Sequence, residues 1–340
     1  MVNSLVAERM QEFPAAIHRL LPHYRISELC PYTFLISPAS GKALCPPAPK
    51  EIPLTLFGAI HGNEVVGIQI LNEVLELLAS GQLVLHFPLA VALGNYRAVA
   101  QGARYCDKDL NRSFGGGKGT AWELERAAEL SKVLSKSWYF VDFHQTSQPS
   151  LEPFFIFPFS RKNVQFAREI SPRQAVITHW HGGFSVDGMA TDELVTKVGG
   201  IGLTVETGQN GFSPYQESLG VHTALKALKA VDFHLRKHHQ LPVYGQEPGA
   251  KERNPLYTWA QLQAYPSTGE VVLKPGLLNF QAVTQGDILG THNGEPLVAT
   301  ATGKLLFPKY LDSVIDRGRR PAELWRVIVP IAVEDLPAEA

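Results

Sequence analysis

From Ile52 onward, short apolar runs alternate with longer stretches whose apolar positions recur at helical spacing. Ile52 to Phe57 reads as a buried strand with Pro53 near its start, and Val65 to Leu78 has the helical period. That helix is expected to end near Ser80-Gly81. Leu83 to Leu93 contains the next strand, with Asn95 at its end. Gln101 to Gly119 carries charge and glycine but no periodicity. Trp122 to Ser135 is amphipathic, and Trp138 to Phe143 is a short apolar strand running into His144.

Further strand candidates are Phe154 to Phe159, Ala175 to Thr178 and Gly202 to Val205, the last followed by Glu206. His222 to Leu235 is a helix closed by a basic, polar end that includes His238 and His239, whose charge suits a helix C-terminus. Residues 1–50 read as a helix followed by irregular chain. The proline-rich Cys45 to Pro49 forms a stiff lead-in to the first central strand. Strands alternating with helices predict a layered α/β domain over residues 1–245. After about residue 245 the pattern changes to short β-rich pieces with turn signals at Ser267-Thr268-Gly269 and His292-Asn293-Gly294. A polar linker near Glu247 to Asn254 would lead into a β-rich domain over 246–340 that covers the cleft, with Glu334 to Ala340 as a frayed tail.

In α/β sheets, functional side chains gather at the carboxyl ends of the strands. His61, Asn95, His144 and Glu206 all follow predicted strands, so one rim is expected to carry all four.

Composition narrows the function classes. A net charge of −1 over 340 residues offers no bulk attraction for nucleic acid or an anionic membrane. Three scattered cysteines argue against a disulfide framework and suit a reducing cytoplasm. The N-terminus lacks an apolar signal core, and the longest apolar stretch is too short to span a bilayer.

His61 and Glu64 lie three residues apart on a strand-to-helix turn, with Gly58 and Gly62 letting the backbone bend. Two histidines and a glutamate form a catalytic zinc set that leaves a coordination position open. A His-x-x-Glu string alone also arises by chance, and His144 alone would be an ordinary sheet-edge histidine; together they favour a metal. Asp142 is a candidate to orient His144. Glu206 is the best-placed acid to take a proton from an attacking water, with Asp192 and Glu193 as weaker rivals. The loop from Arg104 to Phe114 holds two arginines suited to carboxylate recognition, although such a stretch alone would be a solvated surface loop. Asp109 is expected to hold that loop by pairing with an arginine or capping backbone N–H groups. His179-Trp180-His181 reads as an edge strand or loop near the cleft rather than a second metal pair. Tyr310 is a candidate to reach the cleft from the C-terminal region.

Gly58 to Glu64, Asn95 with Arg104, Asp109 to Phe114, Asp142-Phe143-His144 and Val205 to Gly208 occur in an order that resembles the succinylglutamate desuccinylase/aspartoacylase family, a branch of the zinc carboxypeptidase-like hydrolases. The likeness covers residues 50–215 by motif and extends more loosely to Gly303 to Pro308. It implies a central mixed sheet flanked by helices, with one zinc ion bound by His61, Glu64 and His144. It further implies Glu206 as general base and acid, Arg104 as the group polarising the scissile carbonyl, and Asn111 and Arg112 as ligands of the substrate α-carboxylate.

Two departures leave the acyl group and side chain open. The run after His144 is closer to the aspartoacylase style, yet Thr196 and Lys197 stand where an aspartoacylase would carry an arginine. Lys197 is therefore the candidate for a side-chain carboxylate. The expected activity is deacylation of an N-acyl amino acid, an acidic one, with a small molecule as partner. A zinc carboxypeptidase acting on short peptides is the alternative, and a binding protein that kept the pocket without turnover is a third reading.

Overall fold

A computed structural model describes residues 2–39, 43–180, 188–239, 255–310, 320–332 and 335–337. Its spine is a twelve-stranded mixed sheet, and its centre is the part the apolar runs predict. Strands β3 (Ile52–Gly58), β4 (Leu89–Leu93), β5 (Ser137–Thr146) and β8 (Ile201–Gln209) lie side by side and parallel, in the order β4-β3-β5-β8. Every residue of β3 and β4 is buried, as expected where both faces of a parallel sheet are covered.

The two faces part by alternation. Leu54, Leu56, Val141 and Phe143 join the larger core, which also takes residues of α1 (Val2–Arg19), α2 (Val66–Ala79) and α7 (Pro214–His238). Phe57 and Phe140 face the other way, onto Ala127, Leu130 and Leu134 of α4 (Trp122–Leu134) and Val195 of α6 (Thr191–Lys197).

Beyond the parallel centre the sheet extends on both sides. The N-terminal region is less irregular than its sequence suggests, because β1 (Tyr24–Cys30) and β2 (Thr33–Pro38) form an antiparallel hairpin that adds to β4. On the other side β6 (Phe154–Pro158) runs antiparallel to β8 and parallel to β7 (Ala175–His179). Short helices α3 (Tyr96–Gln101), α5 (Arg161–Ile170) and α6 also fall where no periodic run predicts them.

The β-rich C-terminal region is joined to this sheet by backbone hydrogen bonding. β9 (Leu256–Ala264) pairs parallel with β7, and β15 (Glu323–Pro330), β14 (Gly303–Leu306) and β11 (Ala282–Val283) follow outward from it. A shared apolar cluster seals the junction, with Phe154 and Ile177 packed among Tyr257, Phe280 and Ile328. A second, three-stranded sheet holds β10 (Val271–Leu273), β12 (Ile288–His292) and β13 (Glu295–Val298). Asn293 and Gly294 join β12 to β13 with φ of 51° and 83°, the two positive values of a type I′ hairpin turn.

The expected linker at 247–254 lies outside the described residues. The expected frayed tail does not hold for Leu336, which is buried in the main core. No helix among the described residues is long and apolar enough to cross a membrane.

Candidate active site

The carboxyl ends of β3, β5 and β8 open into a cleft of about 590 Å³. The turn after β3 is tight because two glycines touch. A Cβ on Gly58 would lie 2.7 Å from the carbonyl carbon of Gly67 in the first turn of α2. Gly58 therefore serves a close backbone approach, while the left-handed residue of the turn is Ala59, with φ of 56°. The outcome is that His61 and Glu64 are presented at the sheet rim.

Glu64 sits between two imidazoles. Its Oε1 is 2.7 Å from Nδ1 of His61, and its Oε2 is 2.8 Å from Nδ1 of His144. The Gln145 N–H donates to Oε2 and Arg104 Nη1 donates to Oε1. All three residues are 4% exposed or less, and one ligand atom from each lies within 4.8 Å of the others. Two ring nitrogens and a carboxylate converging on one point fit a divalent cation of the zinc type. Burial alone would raise the Glu64 pKa, but the two histidines hold it well below the usual carboxylate range.

The far side of each imidazole also meets a carboxylate. His144 Nε2 is 3.0 Å from Asp142 Oδ2, which in turn accepts the Thr191 hydroxyl at 2.6 Å. Burial opposes a charge on His144, yet Asp142 and Glu64 together hold its pKa well above the ordinary value. His61 Nε2 is 3.1 Å from Asp109 Oδ1, which also accepts the Asn111 N–H, while Asp109 Oδ2 accepts from Arg104 Nη2 at 3.3 Å. Asp109 thus pairs with an arginine and caps a 3-10 turn, tying the loop to the histidine.

Glu206 is the register partner of His144 across β5 and β8. It lines the cleft, and its Oε2 is buried with no hydrogen-bond partner among the described residues. Burial pushes its pKa up to about 8, with Glu64 and Asp142 adding to the rise against His144 and Arg104.

Asn111 and Arg112 line the same cleft. Asn111 Oδ1 accepts the Thr191 N–H at 3.1 Å, and Arg112 Nη1 donates to the Asn111 carbonyl. Of the rival acids, Glu193 caps the start of α6 through the Ala190 N–H, whereas Asp192 is buried and lines the cleft.

Three expectations are corrected. Lys197 is exposed at the carboxyl end of α6, while that helix presents its amino end to the site, so Lys197 does not line the cleft. Asn95 is wholly buried; its amide donates to Glu123 and accepts from Trp122 Nε1, so it braces the loop instead of joining the rim. The Tyr310 hydroxyl donates to the Lys274 carbonyl and accepts the Leu277 N–H, which keeps it within the C-terminal region. His179 lines the cleft and stacks on Trp259, and its sequence companion His181 lies outside the described residues.

Sequence reasoning missed Glu123, whose carboxylate accepts the N–H groups of Cys106, Asp107 and Lys108 and so anchors the loop that carries Arg104. Its acid stands in the first turn of an amphipathic helix, where it reads as a dipole partner. Also missed were Lys309, Glu323 and Arg326, the C-terminal wall of the cleft, because no motif surrounds them.

A large mixed sheet thus carries a buried His/Glu/His cluster, a candidate cation site, at the carboxyl ends of its parallel strands. The model of the succinylglutamate desuccinylase/aspartoacylase catalytic domain matches residues 51–235, more than half of the chain, and the chain belongs to that family. A succinylglutamate desuccinylase of Serratia proteamaculans is 25% identical over 275 residues, 75% of this chain and 79% of the relative. Among solved structures, a succinylglutamate desuccinylase of Vibrio parahaemolyticus superposes with a TM-score of 0.67 at 13% identity, covering 93% of this chain and 95% of its own. Murine aminoacylase 3 gives 0.57 at 18% identity, covering 86% and 97%. At such identities the structural matches speak for the fold.

Proposed function

We propose that this protein is a zinc-dependent hydrolase that removes the acyl group from an N-acyl amino acid, an acidic one. The observation that carries the reading is the pairing in register of His144 with Glu206, which sets a buried carboxylate, its Oε2 without a hydrogen-bond partner among the described residues, beside the His61, Glu64 and His144 cluster.

A zinc ion held by those three residues would supply Lewis acidity toward water and the amide carbonyl. The chain's own groups account for the rest. Asn111 and Arg112 hold the α-carboxylate of the amino-acid part, a task suited to a guanidinium fork. Arg104, braced by Glu64 and Asp109, places positive charge where the carbonyl oxygen becomes negative. Glu206 takes a proton from the attacking water and returns it to the amide nitrogen as the C–N bond breaks. The products are a carboxylate and a free amino acid.

The family and the desuccinylase relative support deacylation over peptide cleavage. So does the wall of C-terminal residues along one side of the cleft, which favours small substrates over extended peptides. The test is metal analysis of the purified protein, followed by a hydrolysis screen of N-acetyl- and N-succinyl-amino acids and short peptides with zinc. About one zinc per chain and release of amino acids are expected. Peptide cleavage alone would instead favour a carboxypeptidase, and a protein without stoichiometric metal would end the scheme.

A further inference from the structure

Helix α2 begins two residues after Glu64, and its own sequence does not cap it. Its N-cap position is Val65, which makes no side-chain hydrogen bond to the helix. Valine offers no acceptor for the free N–H groups of a first turn. The cap comes from another strand. Gln145, next in β5 after His144, accepts the Val66 N–H through its side-chain Oε1 at 3.2 Å, and its backbone N–H donates to Glu64 Oε2 at 3.1 Å. One residue thus holds the Glu64 segment at two points, the carboxylate and the helix that follows it.

The other end of the same amide faces β8 and the chain beyond it. Gln145 Nε2 donates to the carbonyls of Gln209 and Gly211, both at 2.9 Å, and to Gln216 Oε1 at 2.6 Å. Gln216 in turn donates through Nε2 to the Gln209 carbonyl. The Thr207 hydroxyl, one residue after Glu206, lies 3.2 Å from Gln216 Oε1 and 3.0 Å from the His144 carbonyl oxygen. A Cβ on Gly208, where φ is 143°, would come within 2.8 Å of Gln216 Nε2, so glycine there makes room for the arrangement. All the contacts agree on one orientation of the Gln145 amide. Turned over, it would set its NH2 against the Val66 N–H and its oxygen against two carbonyls. Gln145 is 3% exposed, so bulk water does not stand in for a partner that is removed.

We propose that Gln145 is a positioning residue for the metal centre. It fixes the turn bearing His61 and Glu64 against the strand bearing His144 and, through Gln216 and Thr207, fixes both against Glu206. The proposal rests on the reading of His61, Glu64 and His144 as zinc ligands and adds what holds them in place.

The test uses the full chain with Gln145→Met and Gln216→Met, singly and together. Amide hydrogen exchange on the protein as purified reads the cap: the Val66 N–H should exchange about 5-fold or more faster in Gln145→Met. With cobalt loaded in place of zinc, visible absorption reports the ligand field at the ion, and Gln145→Met should shift the bands. Competition with a chelator should show zinc affinity lower by about 10- to 100-fold. At saturating zinc, kcat should fall while KM changes little, because Asn111 and Arg112 lie on another loop. Gln216→Met, at a half-buried position, should give a smaller change of the same kind, and none when residue 145 is already methionine, because Gln216 acts through Gln145. Unaltered spectrum and affinity in Gln145→Met would overturn the proposal, as would a Gln216→Met effect that adds in full to that of Gln145→Met. If Gln145→Met does not fold, Gln216→Met decides, and a wild-type spectrum there overturns the proposal. A wild type that takes up no metal would end the zinc reading, while Val66 exchange would still judge the hold of Gln145 on the turn.

Discussion

The Oδ2 atom of Asp142 lies 3.0 Å from Nε2 of His144, two residues along one strand and on the same face. Asp142 is wholly buried, so the contact fixes which edge of the imidazole is turned toward Glu64. A carboxylate behind a ligating histidine sets its tautomer and raises its basicity. Asp142→Asn should keep the fold but weaken zinc retention by about 10- to 100-fold, as read by competition with a chelator of known affinity. Retention equal to that of the wild type would leave Asp142 with only its Thr191 contact.

Glu206→Gln should leave metal content near that of the wild type while hydrolysis falls by about 10²- to 10⁴-fold. The neutral amide keeps the shape of the side chain but cannot accept the proton. Full activity in this variant would remove Glu206 from the mechanism.

The same residue gives the metal-stripped protein a distinctive response to pH. A carboxyl whose pKa is higher folded than unfolded favours folding while protonated. That contribution is whole below the ordinary value of 4.5 and is lost as pH rises through about 8. At about 1.4 kcal/mol per pKa unit, the loss is roughly 3–5 kcal/mol. Thermal melts of the stripped wild type should therefore fall relative to Glu206→Gln between pH 5 and about 8. Parallel curves for the two proteins would show that burial does not hold this proton.

Glu123→Ala tests the loop rather than the metal. Removing a wholly buried carboxylate that accepts three consecutive N–H groups and the Asn95 amide leaves those donors unpaired. A stability loss of about 3 kcal/mol or more is expected in denaturant melts. Because Arg104 begins this loop, kcat should fall beyond what lost stability explains, with metal content little changed.

Gly67→Ala probes the contact between β3 and α2. The added methyl would meet the Gly58 Cα at 2.8 Å and the Phe143 carbonyl oxygen at 3.1 Å, both backbone atoms without rotamer freedom. A loss of about 1–3 kcal/mol is expected, together with weaker metal binding as the turn bearing His61 and Glu64 is pushed outward. A melt unchanged from the wild type would show that the helix can retreat at little cost.

The parallel centre was legible in the sequence because buried strands read as unbroken apolar runs, and the polar residue after each run marks the rim. That is why His61, Glu64, His144 and Glu206 were found together, although nothing in one-dimensional spacing shows that His144 and Glu206 are register partners. Asn95 satisfied the same rule and was misplaced, because a strand-end polar residue serves equally well as the cap of a short helix such as α3. The β1–β2 hairpin was missed since β1 is mostly exposed and breaks alternation with Ser27-Glu28. Helix α6 is seven residues long, too short to show a period, so the sequence could not tell its cleft end from its solvent end, and Lys197 was assigned to the wrong one. Lys309 and Arg326 come together with Arg112 only through strand pairings nearly two hundred residues later in the chain, a relationship without a local signature.

The parallel pairing of β7 with β9 has one more consequence. A chain ending near residue 245 would leave β7 with an unpaired flank in the middle of what should be a continuous sheet, its backbone donors and acceptors open to any extended segment. In the folded chain β9 covers that flank, so the C-terminal region also removes an open sheet edge.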